Sequence, residues 1–354
     1  MLIINMKINI KKIKAYLKKF FSKLFSEKRT NYYIQPCIDA AQCKGYIETV
    51  SNKADSLHKY LKEIYEKDLE NAYKVIYILL APYFRQSKIR LGIDFHEKGY
   101  YGKHTSIHIM GTNYGGKSYK YAFEYISISL LTGKKDERIH LFALPVYVGD
   151  DRVSLIKQLI DFVKPFFNKI EVIQFDRGFY IKELIYWLED VNLPYLIHLP
   201  KCEGKISDFV SNTKNFSKNS YTAKFYSKQS GYWMKTNIYV CKNICFHNWL
   251  FASNINFKNK WNLFFLYKNR WQIETNYSIS NQNRIMSKST NYIIRYFHFL
   301  VDILLQILWR LFSCVTTFKQ YLLVLVFGIK QVLKRIPRLG IPPDRRAIKW
   351  FSFS

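Results

Sequence analysis

The ten residues from Glu171 to Tyr180, Glu-Val-Ile-Gln-Phe-Asp-Arg-Gly-Phe-Tyr, constrain the fold of this chain more than any other stretch. They begin with a short apolar run rich in β-forming residues, which predicts a buried strand that ends at Asp176. Gly178 follows in a turn, and the next residues have the apolar spacing of a helix. A carboxylate at the C-terminal tip of a strand lies where open α/β sheets bind ligands. The alternative is that Asp176 only caps the following helix.

Four further strands are predicted around this one, three before it and one after it. They span residues 89–95, 119–130, 139–148 and 195–199, with a hairpin turn at residues 132–134. With helices between the later strands, the order β-β-β-α-β-α-β-α is that of an α/β, ribonuclease H-like catalytic core. A right-handed crossover would lay the Asp176 strand parallel to the first strand. Asp94 and Asp176 would then leave the same sheet edge on strands about 4.8 Å apart.

Short β-forming runs separated by Asn, Ser, Lys and Gly predict a β-rich insertion over residues 201–257. The helical period returns in Trp261–Arg284, where Tyr267, Arg270 and Glu274 fall on one face. An ordinary solvated polar face would give the same pattern. A tyrosine, an arginine and a glutamate on one stripe could instead hold a phosphate and a metal ion together.

The chain is predicted to begin with a basic amphipathic helix and to end with apolar helices followed by a basic tail of little structure. A basic amphipathic helix over residues 7–26 suits a membrane surface, a partner or DNA phosphates. Residues 296–329 are strongly apolar, but no uncharged stretch reaches the roughly 18 residues of a membrane span, so buried helices are favoured. The predicted division is an α-helical, DNA-binding N-terminal region (1–86), a catalytic core (87–200 and 258–335), the insertion (201–257) and a basic tail (336–354).

The charge and the cysteines restrict the partners and the compartment. The 354 residues include 55 Lys and Arg against 26 Asp and Glu, and a net charge of +29 indicates a polyanionic partner, nucleic acid or an anionic membrane surface. Cys241, Cys245 and His247 resemble half of a zinc site, and Cys37 and Cys43 could supply the other half. Neither spacing matches a standard pattern, so buried structural cysteines are favoured. No secretory signal is evident, and we expect a reduced cytoplasmic setting.

Three carboxylates, Asp94, Asp176 and Glu274, are the candidates for chemistry. Magnesium prefers hard oxygen ligands and few protein groups, which leaves room for water and phosphate. Two such ions about 3.5–4 Å apart can activate an attacking oxygen and stabilise a leaving one in phosphodiester chemistry. We therefore expect the three carboxyl groups to cluster within roughly 8 Å, in an open groove rimmed by Lys and Arg.

These residues resemble the DDE transposases of prokaryotic insertion sequences, in the branch with a β-rich insertion between the second Asp and the Glu. The likeness is greatest to the archaeal, halobacterial-type group. It covers roughly residues 88–312 and rests on three motifs. They are Asp94-Phe-His-Glu-Lys-Gly-Tyr-Tyr-Gly102, Asp176-Arg-Gly-Phe-Tyr180 and Tyr267-Lys-Asn-Arg-Trp-Gln-Ile-Glu274.

The resemblance implies a function for the candidate residues. The three carboxylates would be the catalytic triad and would hold two Mg²⁺ (or Mn²⁺) ions. Tyr267 and Arg270 would contact DNA phosphates near the cut end, and so would Arg177. The partners would be the element ends and the target DNA, bound by a homodimer in the cytoplasm at the nucleoid. No small-molecule substrate is implied.

The sequence departs from the branch signature at one position. A Lys usually stands seven residues after the Glu, where it grips the element end, and here the residue is Asn281. Lys288, one heptad further on, is a candidate substitute. The departure leaves a second hypothesis open, a degenerate transposase that binds DNA without cutting it.

For each of three aromatic residues, His96, Trp233 and Trp249, the sequence leaves two roles open. His96 follows Asp94 by two residues, and it either supports the site or packs as a core histidine facing the sheet. The branch frees its element through a hairpin with a flipped base stacked on an aromatic ring. Trp233 and Trp249 are candidates for that ring, although core packing is the commoner role.

Overall fold

One sheet of nine strands organises the part of the chain that the computed structural model describes, residues 9–84, 88–104, 106–112, 118–131, 139–200, 205–227, 230–313 and 317–334. The strands are β1 (Ile89–Tyr100), β2 (Met110–Gly111), β3 (Tyr121–Leu131), β4 (Ile139–Val146), β5 (Ile170–Phe175), β6 (Tyr195–His198), β7 (Phe216–Ser227), β8 (Ser230–Ile244) and β9 (His247–Ser253). The predicted hairpin turn at residues 132–134 and the tail at 336–354 lie outside the described residues.

Twelve α-helices accompany the described strands, so the chain has the mixed α/β fold that the sequence predicts. The first five are α1 (Ile10–Phe21), α2 (Glu27–Cys43), α3 (Ile47–Val50), α4 (Ala54–Leu61) and α5 (Glu66–Phe84). The others are α6 (Arg152–Val163), α7 (Lys182–Asp190), α8 (Lys205–Asn212), α9 (Lys260–Lys268), α10 (Trp271–Gln282), α11 (Tyr292–Phe312) and α12 (Phe318–Lys334). The predicted domain boundaries, and the DNA-binding role of the N-terminal helices, stay predictions.

The pairing of β1 with β5 positions the candidate carboxylates. The core of the sheet has the order β4-β3-β1-β5-β6, in which β1 and β5 are parallel and β1 and β3 antiparallel. Ile93 of β1 is in register with Phe175 of β5, so Asp94 and Asp176, the next residues, lie side by side. Strand β5 ends before Asp176, whereas β1 continues to Tyr100, beyond its predicted end at residue 95. The predicted parallel pairing is confirmed. Strand β5 is buried almost throughout, as expected of a central parallel strand covered on both faces.

The β-rich segment continues the same sheet. Strand β9 pairs antiparallel with β6, β8 pairs with β9, and β7 pairs with β8. The β-forming runs of the predicted insertion are residues 221–226, 232–241 and 249–252, and they lie within β7, β8 and β9 in that order. The insertion therefore extends the core sheet sideways on the β6 side, and it brings aromatic residues of β9 close to the end of β6.

Helix α11 is the centre of the hydrophobic core. By length and composition it could cross a membrane, but 89% of its most apolar window is buried inside the protein. Tyr296 donates a hydrogen bond to the carbonyl of Ala143 in β4, and Phe297 stacks on Phe20 of α1. The apolar face predicted for the N-terminal helix is thus buried in this chain's own core, with each large side chain contributing about 1.5–3 kcal/mol.

Candidate active site: three carboxylates around one arginine

The guanidinium of Arg270 lies between the three predicted carboxylates. Its Nη1 is 3.0 Å from Oδ2 of Asp94, and its Nη2 is 3.9 Å from Oδ1 of Asp176 and 3.0 Å from Oε1 of Glu274. The oxygens of Asp176 and Glu274 both neighbour Nη2, so they are no further apart than the sum of their two distances to it. The structure therefore brings Asp176 and Glu274 together within the ~8 Å spread that a two-metal site permits, with Asp94 beside them.

A break in the predicted helix places Arg270 at this point. The sequence predicts one helix over Trp261–Arg284, whereas the structure has α9 and α10 separated at Asn269 and Arg270. Backbone N–H groups there bond to carbonyls three residues back, for example Arg270 to Tyr267 and Ile273 to Arg270, which tightens the turn. The prediction of an uninterrupted helix was wrong because a sequence pattern does not show such a local tightening.

The hydroxyl of Tyr267 links the arginine to the second aspartate. It donates to Oδ1 of Asp176 at 3.2 Å and accepts from Nε of Arg270 at 3.1 Å. Both side chains are almost fully buried, and their polar groups face the carboxylates. Contact of these two residues with DNA phosphates stays a prediction, as does that of Arg177, whose side chain is exposed beside Asp176.

His198 is a member of the site that the sequence reasoning missed. It is the last residue of β6, and its Nδ1 lies 3.8 Å from Oδ1 of Asp176. The structure aligns Ile197 of β6 with Phe175 of β5, so the next residue, His198, adjoins Asp176. Strand β6 was predicted, but its final residue was not considered. Trp249, a candidate for base stacking, packs against this histidine at 5.3 Å between ring centroids.

The backbone around the carboxylates is held by close packing. Gly92 of β1 lets α10 approach, since a Cβ at that position would lie 2.5 Å from Cδ1 of Ile273, the neighbour of Glu274. Phe95 and Phe179, which follow the two aspartates, stack with their ring centroids 4.8 Å apart and an interplanar angle of 7°. These contacts fix the spacing of the three chain segments that carry the carboxylates.

His96 packs behind Asp94 and does not reach its carboxylate by any contact that the structure describes. Its ring stacks on Tyr277 of α10 at 4.0 Å between centroids, and burial lowers its pKa well below the ordinary value, so it is neutral. The hydroxyl of Tyr277 donates to the main-chain carbonyl of Asp94 at 3.3 Å and lies 2.5 Å from Oγ of Ser127. His96 is therefore a core histidine that steadies the tyrosine beneath Asp94.

The two aspartates differ in how easily they ionise. The pKa of Asp94 is raised to about 6, because burial and, second to it, the nearby charge of Asp176 outweigh the opposing effect of Arg270. Burial alone would also raise the pKa of Asp176, but the contact with His198 and the charge of Arg270 hold it well below the ordinary value. Such opposite shifts on adjacent groups in one cleft are typical of functional sites.

The carboxylates have the chemistry of a magnesium site but surround an internal cation. Among the described residues, no group of three or more His, Cys, Asp or Glu side chains is positioned to hold a metal ion. The oxygens of Asp94, Asp176 and Glu274 nevertheless converge on one positive group, and such a set of hard oxygen donors suits Mg²⁺ or Mn²⁺. The residues therefore fit divalent ions in donor type, with Arg270 in the position that balances the charge.

The cysteines are free where the structure describes them. Cys37 and Cys241 are buried, and burial raises the pKa of Cys241 to about 12, as expected of structural cysteines in a core. Cys43 and Cys245 are exposed. The prediction of buried structural cysteines therefore agrees with Cys37 and Cys241 and is wrong for Cys43 and Cys245, and within the described residues no cluster of His, Cys, Asp or Glu side chains is placed to hold a zinc ion.

Two cations from other positions surround Asn281. Its Oδ1 accepts from Nζ of Lys98 at 3.4 Å and from Nη1 of Arg284 at 3.1 Å. Lys98 belongs to β1, four residues after Asp94. Positive charge is thus present near this position although the residue itself is neutral, and Lys288, the predicted substitute, lines the same cavity as both cations.

Comparison with known proteins supports the fold. No protein-family model and no curated protein matches the sequence. Among solved structures, the chain is similar to a piggyBac transposase in a synaptic complex with hairpin DNA. The TM-score is 0.60, the identity is 13%, and the match covers 96% of this chain and 81% of that chain. At this identity the likeness shows a shared fold, and the roles of individual residues rest on the geometry of the site.

Proposed function

We propose that the chain is a DDE transposase that cleaves the ends of its insertion sequence and joins them to target DNA. The single observation that carries the proposal is the convergence of Asp94, Asp176 and Glu274 on Arg270 at one sheet edge. These residues come from distant parts of the sequence, and no purely local role of any one of them accounts for the convergence. The likeness of the whole chain to a transposase fold supports the same conclusion.

The fold part of the proposal is a ribonuclease H-like catalytic core. The strand order β4-β3-β1-β5-β6, with β1 and β5 parallel, supports it. The segment with β7, β8 and β9 lies between the second aspartate and the glutamate in the chain, as in the insertion-sequence branch that the motifs resemble. We assign the protein to that prokaryotic branch, nearest to the halobacterial-type group, on those motifs.

The three carboxylates are the proposed ligands of two Mg²⁺ (or Mn²⁺) ions. Bound there, the ions would supply activation of the attacking oxygen and stabilisation of the leaving oxygen. Tyr267 orients Asp176, and burial raises the pKa of its hydroxyl, so it remains a donor. Arg270 remains charged, because its neighbours Tyr267, Asp176 and Asp94 outweigh the effect of burial on its pKa. Freed from the carboxylates, its guanidinium would be available to a DNA phosphate.

The remaining partners follow from this assignment. The substrate is the DNA of the element ends and of the target, and the net charge of +29 supports a polyanionic partner. We propose a homodimer on DNA, as the branch implies, acting in the cytoplasm at the nucleoid. The exposed Arg177 beside Asp176 is suited to contact a phosphate near the cut.

Substitution of Asp176 tests the proposal. Asp176→Asn should bind element-end DNA as the parent does and should not nick it in Mg²⁺, because the amide is a far poorer ligand for a hard cation. Asp161→Asn, an exposed change on α6, is the matched control and should keep both properties. Binding is measured by gel shift and nicking by strand-specific end labelling. Cleavage by Asp176→Asn at a rate comparable to that of the control would refute the role assignment.

A degenerate transposase that binds DNA without cutting it is the second candidate, and Asn281 is the observation that favours it. Incubation of the parent protein with its element's ends in Mn²⁺ separates the two candidates. Nicks adjacent to the end eliminate the degenerate form, whereas tight binding with intact strands eliminates the cleaving enzyme.

A further inference from the structure

One cavity lies apart from the carboxylate cluster, since none of Asp94, Asp176 and Glu274 lines it. Its volume is about 340 Å³, and it is formed by the end of β1, the segment at residues 284–288 and helix α11. Tyr101, which is 72% exposed, lies at its mouth, whereas His298 and Asp302 of α11 are 2% exposed within it. The cavity is therefore open at one end and has a buried polar floor.

The lining of this cavity carries an excess of positive charge. Four cationic side chains line it, Lys98, Arg284, Lys288 and Arg295, against the single carboxylate of Asp302. Burial raises the pKa of Asp302 and lowers that of Lys98, and the charge of each residue opposes the shift of the other. Lys98 and Arg284 both donate to the neutral amide oxygen of Asn281, so two cations lie near one another, and Asp302 is the single carboxylate of the lining that offsets their charge.

His298 gives an independent indication of a ligand. Within the described residues, neither ring nitrogen of this buried histidine has a hydrogen-bond partner. Burial also lowers its pKa well below the ordinary value, so the ring is neutral and offers one donor and one acceptor. A buried polar group without a partner costs roughly 1–3 kcal/mol, and a polar ligand in the cavity would relieve that cost.

Aromatic rings complete the lining and indicate the body of the ligand. Tyr46 lies under the Nζ of Lys288 at 5.7 Å, and Tyr100 lies under the guanidinium of Arg295 at 5.3 Å. Rings of this kind stack on nucleobases irrespective of their identity, whereas an inorganic anion gains nothing from them. Charge, hydrogen bonding and stacking therefore favour one class of ligand, a phosphate joined to a nucleoside.

We infer that this cavity is a nucleotide-binding site, with the phosphate held between Lys98 and Arg284 and the nucleoside against the tyrosines. Two sources share this chemistry, a free mononucleotide and the 5′-phosphorylated end of a DNA strand. The inference does not rest on DNA cleavage, because the residues that carry it do not belong to the carboxylate cluster. They are Lys98, Arg284, His298, Tyr46 and Tyr100. It assigns a function to the cavity residues whether or not the protein cuts DNA.

Calorimetric titration of the full chain in EDTA tests the inference. The probes are deoxyadenosine 5′-monophosphate, deoxyadenosine, inorganic phosphate, and a trinucleotide with and without its 5′-phosphate. We expect saturable binding of the monophosphate, tighter than that of phosphate or of the nucleoside alone. Arg284→Gln should weaken it by about 10- to 100-fold, the effect of losing a charge-assisted hydrogen bond. Preference for the phosphorylated trinucleotide over the monophosphate would assign the site to a strand end, and the reverse preference to a free nucleotide.

Matched variants keep the test interpretable. Arg90→Gln removes the same charge from the opposite end of β1 and should bind as the parent does. If Arg284→Gln fails to fold, as judged by near-UV circular dichroism, Lys288→Met at the exposed mouth takes its place with the same expected direction. Absence of saturable binding, equal loss in Arg90→Gln, or equal affinity for phosphate and monophosphate would overturn the inference. The titration contains no divalent ion and no cleavable DNA, so its failure is distinct from failure of the cleavage proposal.

Discussion

Neutralising each aspartate of the site should change the stability of the fold in opposite directions. Asp94 is a buried carboxylate with a pKa of about 6, raised from 3.8, whereas Asp176 has a pKa held below 3.8. The folded state therefore disfavours the charge on Asp94 and favours the charge on Asp176. Asp94→Asn is expected to stabilise the metal-free protein at pH 8, and Asp176→Asn is expected to destabilise it.

The magnitude for Asp94 follows from its pKa. A difference of about two units, at 1.36 kcal/mol per unit, corresponds to about 3 kcal/mol. Because the folded pKa is raised, this cost is absent below the unfolded value of 3.8, grows between 3.8 and about 6, and is complete above that pH. Asparagine resembles the protonated acid, so the gain should be about 3 kcal/mol at pH 8 and about half of that at pH 5. The greater exposure of Asp176 screens its charge, so only the direction is predicted for it.

Urea unfolding in EDTA, followed by tryptophan fluorescence at pH 8 and pH 5, measures both effects. The parent and the two Asn variants are compared at each pH, with equal denaturant slopes required so that midpoints report stability. If both variants shift the free energy of unfolding in the same direction at pH 8, the electrostatic account of the site is wrong. The same conclusion would follow from a gain in Asp94→Asn that does not shrink at pH 5.

Three further predictions concern the packing, the missed histidine and the DNA. Gly92→Val should abolish nicking while the fold persists, because a side chain there meets Ile273 and would displace Glu274. Gel shift and circular dichroism distinguish this loss of nicking from unfolding. His198→Phe keeps the ring packing but loses the contact that helps to hold the pKa of Asp176 down. The acid-unfolding midpoint should therefore move to higher pH, and an unchanged midpoint would contradict this prediction. With around 6–10 phosphate contacts, affinity for DNA should fall about 10³–10⁵-fold between roughly 50 and 200 mM salt, whereas a flat response would contradict the electrostatic account.

The parallel pairing of the central strands could be predicted because it depends on local patterns and on a general rule. Apolar runs mark β1 and β5, and the handedness of crossovers determines how they pair. The adjacent positions of Asp94 and Asp176 then follow from the register of the two strands, although only Asp176 stands at a strand end. Glu274 was placed correctly beside them although the helix that carries it is broken, because Arg270 and Glu274 remain on one face across the break.

The charge balance of the site could not be predicted from sequence. Arg270 is buried among the acids, where its positive charge stabilises neighbouring carboxylates in their ionised form, and its contact with DNA phosphates stays a prediction. Its position depends on three-dimensional packing over 176 residues of separation from Asp94. His198 was missed for a simpler reason: nothing in its local pattern distinguishes it from any other residue at a strand end.

The neutral residue at position 281 acquires a physical explanation from its neighbours. A lysine at position 281 would place a third positive charge beside Lys98 and Arg284, which both lie within hydrogen-bonding distance of the residue there. Like charges so close inside a protein are strongly unfavourable unless an anion is bound. Asparagine instead accepts hydrogen bonds from both cations and satisfies them without adding charge. The branch that the motifs resemble has a lysine at this position, and in this chain positive charge is present beside it on Lys98 of β1 and on Arg284 after α10. A departure from the signature at this one residue is consequently weak evidence against phosphate binding at this part of the surface.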